Sequence, residues 1–139
     1  MEADIIFNSS AVKADMLNPA QLAYIGDAVY EIYIRNYLLS LGICKSSRLQ
    51  QEAQLLVKAQ TQSKALKIIT PLLSEDENRI VLRGRNNKHK NKPQNATVEE
   101  YNNATGLEAL IGYLYISKKV EKIDEIINEI LKNFGKDEA

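Results

Sequence analysis

Hydrophobic residues recur at helical spacing along most of the 139-residue chain. The first long helix is predicted to begin at Asn18-Pro19, an N-cap candidate followed by a proline that is tolerated at the first helical position. It is predicted to run to about Leu41 and to end at Gly42. Helical periodicity predicts a buried stripe of Leu22, Ile25, Val29 and Ile32, beside a face that carries Tyr24, Asp27, Glu31 and Arg35.

Four further helices are predicted downstream. One extends from Ser46 or Ser47 to the helix-stopping pair Thr70-Pro71. Its core positions would be Leu49, Ala53, Leu56, Ala59 and Leu66. Capping boxes open the next two: Ser74 with Glu77 starts a short helix toward Arg83, and Thr97 with Glu100 starts the helix that bears Glu108. The last has an amphipathic stripe that ends at Gly135 and consists of Val120, Ile123, Ile127, Ile130, Leu131 and Phe134. The chain has no alternating strand pattern and no internal repeat, so we expect an all-α fold.

A basic segment separates the two capped helices. Residues 84–96 are rich in Asn and Lys and have few apolar side chains, which predicts a solvated basic loop at about 84–96. The 18 basic and 18 acidic residues of the chain cancel, yet residues 79–92 contain six lysines and arginines, one histidine and no acid. Such a local positive potential favours a phosphate backbone, although charge runs of this kind are usually solubilising loops.

Composition limits the class of protein. A chain of 139 residues is predicted to form one domain, residues 1–139, that buries about 70% of its unfolded surface without a disulfide or structural metal. One cysteine, Cys44, and one histidine exclude the usual zinc ligand sets, and Cys44 is interpreted as an incidental thiol. No apolar run approaches the ~20 residues that span a bilayer, and the N-terminus is acidic, so we expect a cytoplasmic protein with no membrane partner.

Asp27 and Glu108 are carboxylates in otherwise apolar helical segments. Asp27 directly follows Gly26, and Glu108 shares one side of its helix with Tyr101, Ala104, Ile111 and Tyr115. An unpaired charge in an apolar stripe is unfavourable, so Glu108 needs a partner. Small residues on both helices would permit close approach, which would let Asp27 and Glu108 share an oxygen-coordinated cation such as magnesium or manganese.

Asp27 also has an ordinary structural interpretation. Asp27 and Glu31 lie four residues apart, where two carboxylates repel by a few tenths of a kcal/mol, and Arg35 offers a pairing cation four residues further on. A solvated face that carries Asp27, Glu31 and Arg35 is common in proteins, and spacing alone favours it over a metal site.

Two segments resemble the signature motifs of the ribonuclease III family: residues 22–31, LAYIGDAVYE, and residues 105–113, TGLEALIGY. From about Leu17 to Lys119 the chain is similar to the short form of that family, Mini-ribonuclease III, whose nuclease domain has no separate double-stranded-RNA-binding domain. The resemblance implies a ribonuclease III endonuclease-domain-like helical bundle. It further implies a homodimeric, magnesium-dependent endoribonuclease that cuts double-stranded RNA and matures the 23S ribosomal RNA precursor. Manganese is a candidate substitute for magnesium, and a large-subunit ribosomal protein is a candidate further partner.

The resemblance also assigns residues. Asp27 and Glu108 match the family's metal ligands and are the expected catalytic residues. Tyr24 matches an aromatic position that inserts into the partner subunit, with an ordinary core tyrosine as an equally weighted alternative. The run Arg83-Gly84-Arg85-Asn86 resembles the basic loop with which the short enzymes engage duplex RNA. The predicted RNA contacts are Arg79, Arg83, Arg85, Asn86, Lys88, Lys90 and Lys92.

The chain departs from the longer enzymes at two positions. Ala23 and Thr105 stand where those enzymes carry further acids, which leaves open how many metal ions bind. The short enzymes show similar substitutions, so the departures favour the short form. Two rival interpretations are a non-catalytic duplex-RNA-binding protein with the same fold and a helical protein-interaction adaptor. The adaptor leaves the acid-free basic segment unexplained, and the presence of both Asp27 and Glu108 disfavours the non-catalytic protein.

Overall fold

The structure, a computed structural model, describes residues 13–87 and 95–135. These residues form α-helices and short 3₁₀ turns with no β-strand, which confirms the all-α prediction. The helices are α1 (Pro19–Ser40), α2 (Ser46–Val57), α3 (Ala59–Ile69), α4 (Glu75–Asn86), α5 (Val98–Ile116) and α6 (Val120–Phe134). Three of the predicted RNA contacts, Lys88, Lys90 and Lys92, lie outside the described residues. Within the described ranges, no helix combines the length and apolar character that crossing a membrane requires.

Helix α5 is the centre of the fold. It packs against α1, α3, α4 and α6, and its buried residues include Leu107, Ala109, Leu110, Ile111 and Leu114. A helix that is apolar on nearly every side is one that its neighbours surround. Glu108 is the only acid of α5 beyond its first turn. Glu108 therefore lies on the most enclosed of the helices that the structure describes.

The predicted helix starts are confirmed where a side chain caps the helix. Asn18, Ser74 and Thr97 each form a capping box at the start of α1, α4 and α5, respectively. The Asn18 side chain accepts a hydrogen bond from the Gln21 backbone N–H at 2.8 Å. Gly42 follows α1 with a φ of +83°, the left-handed conformation that favours glycine at a helix end.

The long second helix was predicted wrongly, because the chain breaks at Lys58 into α2 and α3. Lys58 has extended backbone angles, φ −68° and ψ 156°. The Thr61 hydroxyl donates to the Leu55 carbonyl oxygen at 2.6 Å, which replaces the helical bond that this carbonyl would otherwise accept from Ala59. The predicted cap is also wrong, since Lys45 rather than Ser46 or Ser47 precedes α2. The break turns the start of α3 toward α5.

The buried face of α1 is rotated from the predicted stripe. Ile32 was expected in the core but is 67% exposed. The buried residues of α1 are Leu22, Ala23, Gly26, Val29, Tyr30, Ile34 and Leu38. Because Ala23 and Gly26 give the flattest side of the helix, α1 packs that side inward and leaves Ile32 outside.

The basic segment begins differently from the prediction. Helix α4 extends to Asn86, so Gly84, Arg85 and Asn86 are helical rather than part of a loop that starts at residue 84. A Cβ atom on Gly84 would lie only 2.9 Å from the Gly106 Cα atom. Gly84 is therefore a site of close helix packing between α4 and α5, and that packing holds the end of α4 in helical form.

Candidate active site

The crossing of α1 and α5 is a contact between backbones. A Cβ atom on Gly26 would overlap the carbonyl oxygen of Glu108, and one on Gly112 would overlap the carbonyl oxygen of Leu22. Both glycines are buried. The close approach that the small residues predicted is thus confirmed, and it brings the residue after Gly26 next to the side chain of Glu108.

Asp27 and Glu108 come together at this crossing. Their carboxyl groups lie close enough to interact, with Asp27 exposed and Glu108 partly buried. Burial, and then the negative charge of Asp27, raise the pKa of Glu108 to about 8. A carboxyl group with such a pKa is mostly protonated at neutral pH, so the pair holds a proton where a cation could bind.

Two other polar side chains surround Glu108. The Tyr30 hydroxyl donates to the Leu56 carbonyl oxygen at 3.0 Å, and burial, with a further contribution from the Glu108 charge, raises the pKa of Tyr30. Gln62 is 1% exposed. Its amide lowers the pKa of Glu108, because it favours the ionised carboxylate. The Gln62 Nε2 atom is nevertheless buried without a hydrogen-bond partner among the described residues.

A cavity of about 640 Å³, to which many polar residues contribute, opens beside Glu108. Its wall combines the start of α3 with α5 and with Asn95, the first described residue after position 87. The polar residues that line it with Glu108 are Gln54, Lys58, Gln60, Gln62, Asn95, Tyr101 and Thr105. The Gln60 amide donates to the Asn95 carbonyl oxygen and so ties the chain after the basic segment to the cavity wall.

Asp27 is exposed, as the solvated-face interpretation expects, but Glu31 and Asp27 have different neighbours. Arg35 pairs with Glu31, with its Nη2 atom 3.0 Å from the carboxylate. Asp27 instead contacts Glu108 on the neighbouring helix. The two acids of α1 that spacing alone grouped together thus have different environments.

The donor set fits a divalent cation held by two carboxylates. In residues 13–87 and 95–135, no three or more His, Cys, Asp or Glu side chains are grouped so that they could hold a metal ion. Ala23 and Thr105 are buried, and the Thr105 hydroxyl donates to the Tyr101 carbonyl oxygen of its own helix at 3.0 Å. One or two carboxylates with water and substrate phosphate are the usual ligands of magnesium, which Asp27 and Glu108 match.

The described members of the predicted RNA-contact set have unequal environments. Arg83 and Asn86 are exposed at the end of α4. Arg79 pairs with Asp76 on its own helix. Arg85 is partly buried, and its Nε donates to the Asn103 side-chain oxygen at 2.6 Å.

The partners of Arg85 were not found by sequence reasoning. The buried Asn103 amide donates to the Ser63 hydroxyl at 2.9 Å, which completes a chain from α4 through α5 to α3. The one signal for this network was an asparagine within the apolar helix α5. Among the described residues, Arg85 therefore has a structural partner and Arg83 has none.

Tyr24 is not a core tyrosine, because 84% of it is exposed. Ile32 and Leu39, which are 67% and 59% exposed, are further exposed apolar side chains of α1. Exposed apolar side chains on the helix that carries Asp27 favour the interface interpretation of Tyr24.

Residues 20–119 match the ribonuclease III domain family. The chain belongs to the ribonuclease III family, and it is an endoribonuclease.

Its relatives narrow the position within that family to the Mini-ribonuclease 3 group. Mini-ribonuclease 3 of Enterococcus faecalis is 42% identical over 86% of this chain and 92% of the relative. That of Brevibacillus brevis is 41% identical over 83% and 86%, respectively. The crystal structure of a protein from Fusobacterium nucleatum matches with a TM-score of 0.79 and 38% identity, over 87% of this chain and 98% of the other. The resemblance stated from the motifs is confirmed, as is the ribonuclease III-like helical fold.

Proposed function

We propose that this endoribonuclease cleaves double-stranded RNA at the Asp27–Glu108 pair with a divalent cation, magnesium or its substitute manganese. The observation that carries the proposal is the contact between these two carboxyl groups, which come from different helices and meet beside a polar cavity. A structural ion pair would join opposite charges, whereas this pair places two acids together. Such an arrangement is unfavourable without a proton or a cation, and it is typical of metal-dependent sites.

In this proposal Asp27 and Glu108 are the protein ligands of the cation. When bound, a divalent cation polarises the phosphate and makes a coordinated water more acidic. The glycine crossing fixes the backbone of both ligands, so the carboxylates need little rearrangement to bind. The cavity beside Glu108 supplies the Lys58 ammonium and the amides of Gln54 and Gln60 to a sugar–phosphate strand.

We further propose that duplex RNA lies across the end of α4 and the segment that follows it. Arg83 and Asn86 are exposed there. Asn95, which follows the basic residues in the sequence, lines the cavity beside Glu108. Lys88, Lys90 and Lys92 lie between those points in the sequence. Duplex RNA is bound mainly through shape, phosphates and 2′-hydroxyls, for which these side chains are suited. Arg85 supports this surface through Asn103, and Arg79 contributes if RNA displaces its exposed pairing with Asp76.

The proposed active unit is a homodimer that joins through α1. Tyr24, Ile32 and Leu39 expose apolar side chains on that helix, and a two-fold partner would cover them. The two backbones of an RNA duplex are themselves related by local two-fold axes, so a symmetric dimer can present one Asp27–Glu108 pair to each strand. The family resemblance makes the 23S ribosomal RNA precursor the proposed substrate, with a large-subunit ribosomal protein as a candidate partner.

Isosteric removal of each charge tests the site. Asp27→Asn and Glu108→Gln are expected to lower the cleavage rate of a long RNA duplex by far more than tenfold, with duplex binding retained. Glu31→Gln is the matched control, because Glu31 is an acid of α1 that pairs with Arg35 instead. Cleavage by either variant within tenfold of wild type, a barrier change of only ~1.4 kcal/mol, would remove that residue from the site.

A further inference from the structure

Three consecutive polar residues at the start of α3 are buried, and one of them differs from the other two. Thr61, Gln62 and Ser63 are 8%, 1% and 4% exposed. The Thr61 hydroxyl donates to the Leu55 carbonyl oxygen, and the Ser63 hydroxyl accepts from Asn103. The Gln62 Nε2 atom, in contrast, makes no hydrogen bond of full geometry within the part of the chain that the structure describes.

A buried amide donor without an acceptor destabilises a fold, so its presence calls for an explanation. The helix break at Lys58 gives the geometric cause. Helix α3 begins at Ala59, directly after the break, and Gln62 near its start lies in the wall of the cavity that Glu108 also lines. The acceptor that the amide approaches is the Glu108 carboxylate, whose ionised form it favours.

Gln62 and Glu108 line the same cavity, and the buried Gln62 amide has no acceptor there among the described residues. Both oxygens of a Glu108 carboxylate are acceptors, so a cation bound on one side leaves lone pairs available on the other side. An N–H donor on the side away from the cation then fixes the rotation of the carboxylate, as outer hydrogen bonds do for metal ligands in general.

We propose that Gln62 is a positioning residue, whose buried amide holds the Glu108 carboxylate in the orientation that binds the divalent cation. The inference rests on the proposed metal site and adds a residue to it. Gln62 has no role in the motif resemblance, and it lies 46 positions before Glu108 in the sequence. It acts through Glu108 and not on the substrate.

The test measures metal affinity and folding stability in variants of two neighbouring residues, Gln62 and Thr61. Gln62→Leu removes the donor at nearly equal volume, and Gln62→Met does so with an unbranched side chain of equal length. Both are expected to weaken Mn²⁺ binding, measured by electron paramagnetic resonance without RNA, by ~10–100-fold. Their unfolding midpoint in urea, measured in EDTA, should equal or exceed that of wild type because an unsatisfied amide is gone.

Thr61→Val is the matched control, since it removes a buried polar group from the adjacent position. It is expected to lower the unfolding midpoint, because it leaves the Leu55 carbonyl without its partner, and to leave Mn²⁺ affinity within twofold of wild type. Loss of Mn²⁺ affinity without loss of stability in the Gln62 variants, and the reverse in Thr61→Val, would support the positioning role. A purely structural residue would not give that combination of results.

Two results would overturn the inference. One is an Mn²⁺ affinity in Gln62→Leu and Gln62→Met that stays within twofold of wild type. The other is a loss of affinity in Thr61→Val as large as that in the Gln62 variants. Both results presuppose a wild-type protein that binds Mn²⁺ and loses that binding in Asp27→Asn. A wild-type protein that binds no Mn²⁺ would instead refute the metal site of the proposed function, and the inference with it.

Discussion

Glu108→Gln should stabilise the metal-free protein at alkaline pH although it removes the proposed activity. The folded state keeps the Glu108 proton between pH 4.5 and about 8, because burial and Asp27 raise the pKa of this group over that range. The unfolded state releases the same proton near pH 4.5. Wild-type stability therefore falls as the pH rises through this window, and a glutamine, which never ionises, removes that fall.

The size of the effect follows from the pKa change. Raising a pKa from 4.5 to about 8 corresponds to roughly 5 kcal/mol at ~1.36 kcal/mol per pH unit. Asp27 is exposed and Glu108 is only partly buried, so both side chains can rotate toward water and relieve part of the repulsion. We expect Glu108→Gln to exceed wild type by about 2 kcal/mol at pH 9, which is roughly 8 °C in Tm for a chain of this length, and by nothing near pH 4.5.

The assay is urea unfolding followed by circular dichroism in EDTA, at pH 5 and at pH 9, with equal protein concentrations. Glu31→Gln serves as the control, because it removes an acid that is paired with Arg35 and should cost under about 1 kcal/mol at both pH values. Adding Mg²⁺ or Mn²⁺ at pH 8 should raise the stability of wild type but not of Glu108→Gln. A stability difference between Glu108→Gln and wild type that is the same at pH 5 and pH 9 would refute the reasoning.

Three further predictions concern the helices around the site. Gly26→Ala or Gly112→Ala should lower the free energy of unfolding by roughly 2–4 kcal/mol because the added methyl group meets backbone, and a variant of wild-type stability by urea unfolding would contradict the backbone contact. Arg83→Ala should reduce the log–log slope of duplex RNA binding against salt by up to about one unit. Arg85→Ala should chiefly lower stability, because Asn103 loses its partner. An unchanged salt slope in Arg83→Ala would indicate that Arg83 only makes the surface soluble. Tyr24→Ala should shift the protein toward monomer in sedimentation, because Tyr24 is exposed on α1. Mixed dimers of wild-type and Asp27→Asn chains should nick one strand only. Mixed dimers that cut both strands in one encounter would exclude the model of one site per strand.

Local signals in the sequence were sufficient for most helix boundaries. Asn18, Ser74 and Thr97 cap helices through bonds that span three residues, so the pattern contains all of the participants. The break at Lys58 has no such signal, because neither proline nor glycine stands there. It depends on the Thr61 hydroxyl, which offers the Leu55 carbonyl a partner other than its own helix.

Side-chain environments were harder to predict than helices. Arg85 was grouped with Arg83 because both are basic. Arg85, however, bonds to Asn103, which is 18 positions away, and Asn103 bonds to Ser63, which is 40 positions away. Ile32 follows the helical period, but the inward side of α1 is decided by the glycine that α5 contacts, and periodicity does not contain that information. The pairing of Asp27 with Glu108 was anticipated from the small residues around both acids, whereas Gln62 stood among many polar residues with nothing to mark it.

The glycine crossing has an evolutionary consequence. Gly26 and Gly112 set the distance between α1 and α5 through main-chain atoms, and neither carboxyl group takes part in that contact. A descendant with asparagine at position 27 or glutamine at position 108 would keep the crossing, and we expect it to gain stability from losing the acid pair. Asp and Asn, like Glu and Gln, are separated by a single nucleotide in the genetic code. Loss of the nuclease would thus be one substitution away and favourable for folding, and its recovery would be equally near for as long as the two glycines remain.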